Sequence, residues 1–308
     1  MKKLLAMCLI LTLVAAMFAG CGESANKETF TVGICQLMEH ESLDQATAGF
    51  KAALTAALEA EGKKVTFVEQ VAGGTNECTT VVSTLTAQNV DLIMANATPA
   101  LLAAANATSS IPVLGTSVTD YQDTFNGKIP GNVSGTSDAV PFADQAQMMI
   151  DTLGLAAGDQ VGVLYCSDES NSKIQYEAVK ALFEEAGIVV KAYTFSETTQ
   201  LQALVTSACG ECKAIYVPSD NTVADNDAVV GTICNEYKIP IYTSYGGSVC
   251  YASLAIDYYA LGEETGKMAA EILLGKKTPA DIRIATLTPT VSYNQELCEM
   301  LGIEIPEN

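Results

Sequence analysis

The sequence contains no tryptophan and only one histidine, His40. Without further histidines, serine and cysteine triads lack their usual general base, and histidine-rich metal sites lack their ligands. No Walker loop or dinucleotide fingerprint occurs, because the glycine pair at 73–74 is not followed by the Gly-Lys that cradles phosphates. We therefore expect a protein that is not an enzyme and that uses neither a cofactor nor a metal. We interpret His40 as a residue at a helix cap or at the rim of a site.

Basic residues are also scarce, since 36 acidic residues outnumber 16 basic ones and the formal net charge is −20. Such a surface repels nucleic-acid phosphates and anionic membranes, so we expect neither as a direct partner. The acidic residues are spread without long like-charge blocks. This spread favours a role in solubility over a cation-binding role.

One apolar run approaches membrane length, and it lies at the amino terminus. Two lysines precede the mostly apolar residues 4–18, and the run closes on Ala19-Gly20-Cys21. It is shorter than the roughly 18 apolar residues of a spanning helix, which favours a secretory signal over an uncleaved anchor helix. Phe18-Ala19-Gly20-Cys21 resembles a bacterial lipobox, in which Cys21 is lipidated, although Phe18 replaces the usual leucine. Either interpretation places the rest of the chain outside the cytoplasm.

Cysteine is the one abundant reactive residue, with ten in the chain. Cys8 lies in the signal and Cys21 is the expected lipid site, and eight scattered cysteines remain: Cys35, Cys78, Cys166, Cys209, Cys212, Cys234, Cys250 and Cys298. Cys209 and Cys212 form the only CxxC, and a zinc site would need two more ligands at suitable spacing. We favour reduced core thiols, while the compartment leaves at least one disulfide as the alternative.

Beyond residue 30 the sequence consists of two similar halves, in which strand-like runs alternate with helical periodicity. VGICQ at 32–36 is similar to VGVLY at 161–165, and IPVLGTS is similar to IPIYTSY. The helical segment after each first strand ends near a glycine, Gly62 or Gly187, as helices with a glycine cap do. This pattern predicts an α/β protein of two Rossmann-like lobes with mostly parallel sheets. Chance similarity is the alternative, because any parallel strand tends to be rich in valine and isoleucine.

Polar clusters follow several predicted strands, at the edge where parallel sheets place their ligand sites. Ser219, Asp220 and Asn221 form one such cluster, and each can serve as a helix cap or as a ligand contact. Hydroxyls, amides and helix N-termini suit a carboxylate, while Asp120 or Asp220 suits an ammonium group. A zwitterion satisfies both requirements.

Several segments together resemble the ABC-transporter substrate-binding lipoproteins, whose better-known members look like binders of aromatic amino acids. These segments are VGICQLMEHESLD, NVSGTSD, IYVPSDNTV and ASLAIDYYALGEETGKMAAEILLGKKTPADI, within a similarity that runs from about 31 to 306. The resemblance implies a type I periplasmic-binding-protein fold, in which two lobes joined by three crossovers close on a small molecule and deliver it to a permease. This chain departs from the family pattern at Tyr121 and Ser170, where proline is common.

The resemblance also implies the domain boundaries. Residues 1–21 form the signal peptide with its lipid-attachment cysteine, 22–30 a linker, 31–140 plus about 250–278 lobe 1, and 141–249 plus about 279–308 lobe 2. The crossovers are expected near 138–142, 246–252 and 278–286, and the helix from Tyr258 to Leu274 is expected to return to lobe 1.

Position and resemblance together predict an extracytoplasmic, lipid-anchored and monomeric solute-binding protein. It passes a small zwitterionic ligand, with an aromatic amino acid as the first choice, to the permease subunits of an ABC importer. The alternatives are a ligand sensor of the same fold that signals to a receptor, and a sugar- or nucleoside-binding importer component. The residues expected to contact the ligand are Gln36, Thr98, Ser117, Asp120, Ser137, Asn171, Ser172, Asp220, Asn221 and Tyr245.

Overall fold

The computed structural model describes residues 27–306, so the predicted signal and the proposed lipid site at Cys21 lie outside the described residues. Strands and helices are numbered along the chain. None of the helices between 27 and 306 is long and apolar enough to cross a membrane. The cysteines of this range are buried, and none of them is paired in a disulfide.

The first lobe is built on a six-stranded sheet in the order β11-β5-β4-β3-β1-β2, with every pair parallel. Its strands are β1 (Thr29–Gln36), β2 (Lys64–Val71), β3 (Leu92–Asn96), β4 (Val113–Val118), β5 (Val133–Ser137) and β11 (Ala285–Thr286). Its helices are α1 (Glu41–Ala60), α2 (Cys78–Ala87), α3 (Thr98–Ala107), α4 (Tyr121–Thr124) and α10 (Tyr258–Leu273). β3 and β4 are buried throughout because helices cover both faces of the sheet, which explains their continuous apolar runs.

The second lobe repeats this plan with a six-stranded sheet in the order β12-β10-β9-β8-β6-β7, in which β12 alone is antiparallel. Its strands are β6 (Gln160–Cys166), β7 (Val189–Phe195), β8 (Ala214–Val217), β9 (Ile241–Thr243), β10 (Ala252–Ala255) and β12 (Thr290–Tyr293). Its helices are α5 (Phe142–Leu153), α6 (Ser170–Glu185), α7 (Leu201–Glu211), α8 (Asn221–Asp225), α9 (Asp227–Tyr237) and α11 (Gln295–Leu301). Each strand of one sheet has its counterpart at the same place in the other, so the predicted fold of two α/β lobes is confirmed.

The chain passes between the lobes at 138–141, 256–257 and 287–289. The second and third passages come later than the expected 246–252 and 278–286, which moves the lobe boundaries from about 250 and 278 to about 256 and 287. The reason is strand pairing that no local pattern reveals: β10 still pairs with β9, and the short β11 pairs with β5. The glycines at 246 and 247, with φ of 85° and 100°, lie in the loop between β9 and β10 of the second lobe.

The helix that follows the second passage, α10, packs closely against α1 in the first lobe. A Cβ atom on Gly262 would lie 1.9 Å from the carbonyl oxygen of Ala46, and one on Gly49 would lie 2.1 Å from that of Tyr259. Only glycine allows two helix backbones to approach this closely. The contact fixes the start of α10, and with it the position of Tyr258 beside the cleft.

Candidate functional site

A small cavity lies between the two lobes, at the carboxyl ends of β4 and β8. The free space within it is about 10 Å³, roughly enough for one water molecule. The residues that line it come from both lobes and from the crossovers: His40, Leu43, Ser117, Asp138, Ser219, Asp220, Asn221, Ala224, Tyr245 and Tyr258. A molecule held there would contact both lobes at once.

The first lobe contributes a buried hydroxyl at the end of β4. Ser117 adopts a left-handed conformation with φ of 55°, where the pairing of β4 with β5 shifts register. This irregularity turns the Ser117 side chain into the cavity, as bulges near binding sites do. Its Oγ atom is buried and has no hydrogen-bond partner. A buried hydroxyl without a partner costs free energy, so this one favours a ligand that supplies a partner.

The first crossover contributes a buried carboxylate, Asp138. It accepts hydrogen bonds from Thr119 Oγ1 at 3.2 Å and from the Tyr258 hydroxyl at 3.0 Å. Burial raises the pKa of Asp138 above its usual value, and the two hydroxyl donors oppose that shift. Next to it, Ser137 donates its hydroxyl to the carbonyl oxygen of Thr119 at 2.8 Å. Asp138 therefore ties the first crossover to the residue that opens α10.

In the second lobe, Glu169 organises the start of α8. Its carboxylate accepts hydrogen bonds from the backbone N–H groups of Asn221 and Thr222 at 3.0 and 2.8 Å. It also accepts from Asn221 Nδ2 at 2.6 Å and Thr222 Oγ1 at 2.8 Å. Asn171, on the first turn of α6, donates its amide to the carbonyl oxygen of Ser219 at 2.8 Å. The loop before α6 thus holds the lining residues 219–221 in place.

Asp220 is the N-cap of α8. Its Oδ1 accepts from the Val223 N–H at 2.8 Å, and its Oδ2 accepts from the Cys166 N–H at 2.7 Å. Burial, together with the nearby charge of Glu169, raises the pKa of Asp220 to about 8. Both oxygens therefore hold the second lobe together, although the residue also lines the cavity.

Two hydrogen bonds join the lobes across the cleft. His40 Nε2 lies 3.2 Å from Asn221 Oδ1. Because the Asn221 amide nitrogen already donates to Glu169, its oxygen faces His40 and the imidazole is the donor. Burial lowers the pKa of His40. In the second hydrogen bond between the lobes, Gln175 Nε2 donates to Thr119 Oγ1 at 3.3 Å. These contacts show that the structure has its lobes closed.

Aromatic and aliphatic side chains form the remaining walls. Tyr245 and Tyr258 line the cavity, and Leu43 lines it from the first lobe. The Tyr245 hydroxyl donates to Asp227 Oδ1 at 2.6 Å, and burial raises the pKa of Asp227 to about 6. The cavity thus combines carboxylates, hydroxyls and amides with apolar surface.

Some of the predicted site residues line this cavity and others do not. Those that line it are Ser117, Asp220, Asn221 and Tyr245. Ser137, Asn171 and Ser172 lie buried near the lining residues, and Asn171 and Ser137 bond to the backbone there.

Gln36, Thr98 and Asp120 belong to the internal structure of the first lobe. Gln36 bonds to Met38, Asp44 and Thr47, at the start of α1. Thr98 is the first residue of α3, and Asp120 caps α4.

Other lining residues were not among the predicted ligand contacts, although Ser219 belonged to the predicted strand-end cluster and His40 was interpreted as a cap or rim residue. His40, Leu43, Asp138, Ser219, Ala224 and Tyr258 also line the cavity, and Glu169 lies just behind it. Asp138 ends the segment NVSGTSD, and Glu169 stands in a strand-end polar cluster. Those two positions could have been found from these segments, whereas nothing near Tyr258 in the sequence indicates that it meets the other lining residues.

Residues 31–308 match the model of a family described as ABC transporter substrate binding protein. A curated relative, the tyrosine-binding protein of Clostridioides difficile strain R20291, is 33% identical over 324 residues, which cover 98% of this chain and 93% of the relative.

Solved structures show the same similarity. The crystal structure of an ABC domain in complex with L-Trp from Streptococcus pneumonia superposes with a TM-score of 0.80 at 32% identity, covering 91% of this chain and 96% of that one. The ligand-free, open structure of a substrate binding protein with adhesive properties from Clostridium difficile has the same 32% identity, covering 91% and 97%, but a TM-score of 0.65. Identity and coverage are matched, so we attribute the lower score to the open arrangement of the lobes.

Proposed function

Because the chain belongs to the ABC transporter substrate binding protein family, we propose that it is the extracytoplasmic, lipid-anchored solute-binding component of an ABC importer. Its ligand is a small zwitterion, an aromatic amino acid, held between the lobes. The observation that carries this proposal is the closed cavity, which both lobes line with carboxylates, hydroxyls and two tyrosine rings. The relative named for tyrosine and the similar structure in complex with L-Trp support the same ligand class.

The chemistry of the cavity suits the three parts of an aromatic amino acid. Asp138 and Asp220 favour an ammonium group, and the unpartnered hydroxyl of Ser117 can donate to a carboxylate. The rings of Tyr245 and Tyr258 offer apolar faces for the side chain.

The proposed mechanism is hinge closure. The lining residues surround a ligand completely only when the lobes are closed, so binding shifts the equilibrium from the open to the closed state. The His40–Asn221 and Thr119–Gln175 hydrogen bonds join opposite lobes and add to the stability of that state. The permease then recognises the closed shape, while a lipid on Cys21 keeps the protein at the membrane.

A thermal-shift screen followed by calorimetry tests the ligand class. The chain from residue 22, which contains every described residue, is screened against the twenty amino acids, small peptides, sugars and nucleosides. At roughly 100 times its dissociation constant, a ligand adds about 2.7 kcal/mol to the free energy of unfolding. We expect L-Tyr, L-Phe or L-Trp to raise the melting temperature. A response to a sugar or nucleoside, with all amino acids silent, would contradict the proposal.

Uptake of the radiolabelled ligand tests the import role separately. Cells that lack this gene are expected to lose high-affinity uptake, and the full-length gene should restore it. A Cys21→Ser form should restore it poorly, because the protein would no longer stay at the membrane. Normal uptake in the deletion strain would favour the sensor alternative over an importer component.

A further inference from the structure

The cavity region holds buried acidic side chains without a basic side chain of the protein beside them. Asp138 and Asp220 line the cavity and Glu169 lies behind it, each with 5% or less of its surface exposed. The lining residues include no lysine or arginine. None of the ion pairs found between residues 27 and 306 involves these three carboxylates. Because an uncompensated buried charge is costly, the site favours a ligand that brings a positive charge.

Two of the three carboxylates are compensated by donors of their own lobe. Glu169 accepts from two backbone N–H groups, one amide and one hydroxyl at the start of α8. Asp220 accepts from two backbone N–H groups, those of Cys166 and Val223, and the bond from Val223 makes it the N-cap of α8. Hydrogen bonds from backbone N–H groups stabilise a carboxylate, so these two side chains have structural roles that do not require a ligand.

Asp138 differs from the other two. Its carboxylate accepts from the neutral hydroxyls of Thr119 and Tyr258, one on each oxygen. A carboxylate has about four acceptor positions, which leaves Asp138 the capacity for a further donor on the side of the cavity. Its neighbours in the cavity wall, Ser117 and Tyr258, add no positive charge.

We propose that the carboxylate of Asp138 accepts the ammonium group of the ligand and thereby makes the protein selective for ligands with a primary ammonium. This inference rests on the proposed binding of an amino acid, and it assigns the ammonium to Asp138 in place of Asp120 or Asp220. Asp138 lies in the first crossover and its partner Tyr258 follows the second, so the ammonium is bound where the chain passes between the lobes.

The test compares L-Tyr with 3-(4-hydroxyphenyl)propionate, which is the same molecule without the amino group, by isothermal titration calorimetry. Breaking one side of a buried charge pair reduces affinity by roughly thirtyfold or more. We expect the wild-type protein to prefer L-Tyr over the amine-free analogue by at least that factor. Asp138→Asn should weaken L-Tyr binding by a similar factor, while binding of the analogue stays equal or improves.

Asp144→Asn is the matched control, because it makes the same change of charge at an exposed position in α5. It should bind L-Tyr as the wild type does. L-Tyr binding that survives Asp138→Asn would overturn the role of Asp138 and leave the proposed function intact. Wild-type binding of a sugar or nucleoside, with no amino acid bound, would overturn both.

A second measurement uses the wild-type protein alone and does not depend on the folding of a variant. Tyramine keeps the ammonium group of L-Tyr and lacks its carboxylate. We expect tyramine to bind more tightly than the amine-free analogue, because its ammonium group supplies a positively charged partner for the carboxylate of Asp138. If the amine-free analogue binds as tightly as L-Tyr, the cavity does not select for an ammonium group.

Discussion

At the scale of single residues, the buried carboxyl groups near the cavity differ in the donors that they accept from. Asp220 caps α8 and holds the end of β6 through the Cys166 N–H. Its pKa is raised to about 8 by burial and by the charge of Glu169. A carboxylate usually has a pKa near 4, so the folded protein holds a proton here that the unfolded chain releases at lower pH.

This difference predicts how the stability of the ligand-free protein depends on pH. The contribution of Asp220 is fully present below about pH 4 and is lost as the pH rises through about 8. In that interval the free energy of unfolding should fall by up to about 1.4 kcal/mol per pH unit for each such group. Asp227, with its pKa raised to about 6, adds to the fall at lower pH.

Urea denaturation at pH 5, 6, 7 and 8 measures this dependence. Asp220→Asn should be less stable than the wild type at pH 5, because an amide cannot accept both backbone N–H groups equally well. The difference should shrink as the pH approaches 8. Asp144→Asn, at an exposed position, should keep the slope of the wild type. An unchanged slope in Asp220→Asn would show that another group holds the proton.

At the scale of helices and strands, the contact between α1 and α10 positions one side of the cleft. α1 begins just after His40, and α10 begins with Tyr258, so both lining residues stand at the N-terminal end of a helix. The helices approach through Gly49 and Gly262, whose missing side chains leave room for the opposing backbone. A change in this contact should therefore affect both the stability of the first lobe and the cavity.

Gly262→Ala tests the close approach. The new methyl group would lie 1.9 Å from the Ala46 carbonyl oxygen and would push the helices apart. We expect a loss of about 1–3 kcal/mol in the free energy of unfolding, as for other overpacked sites. Gly210→Ala is the control, because Gly210 lies exposed on α7 with open space around it. Alanine there should stabilise the protein by about 0.5–1 kcal/mol. Equal effects at both positions would contradict the packing argument.

At the scale of the whole molecule, the proposed hinge mechanism concerns the position of the two lobes relative to each other. The structure has its lobes joined by the His40–Asn221 and Thr119–Gln175 hydrogen bonds. It superposes better on the protein in complex with L-Trp than on the ligand-free, open structure of equal identity. Under the proposed hinge mechanism, the open state differs from this structure in the relative position of the two lobes.

Small-angle X-ray scattering tests closure in solution. The radius of gyration of the ligand-free protein should exceed the value calculated from the closed structure, and a saturating amino acid should reduce it. His40→Ala removes one neutral hydrogen bond between the lobes, worth about 1 kcal/mol, so it should weaken ligand binding roughly fivefold. The same radius with and without bound ligand would contradict the hinge mechanism.

The sequence by itself determined the fold and part of the site. Alternating apolar runs and helical periods follow from local chemistry, and so do the glycines after α1 and α6, where Gly62 and Gly187 take φ of 69° and 78°. The repeated halves imply two lobes, and the rule that ligands bind at the carboxyl ends of parallel strands led to Ser117, Asp220 and Asn221. All of these depend on neighbouring residues or on symmetry, which a sequence displays directly.

Only the tertiary structure decided which polar strand ends face the cleft and which serve their own lobe. Gln36 and Asp120 are, like Ser117, polar residues at the carboxyl end of a strand, yet their hydrogen bonds stay within the first lobe. His40 meets Asn221 across 181 positions of the chain, and Asp138 meets Tyr258 across 120. Such contacts depend on the paths of the crossovers and on the closure of the lobes. No local pattern carries that information, because it arises only when distant segments pack together.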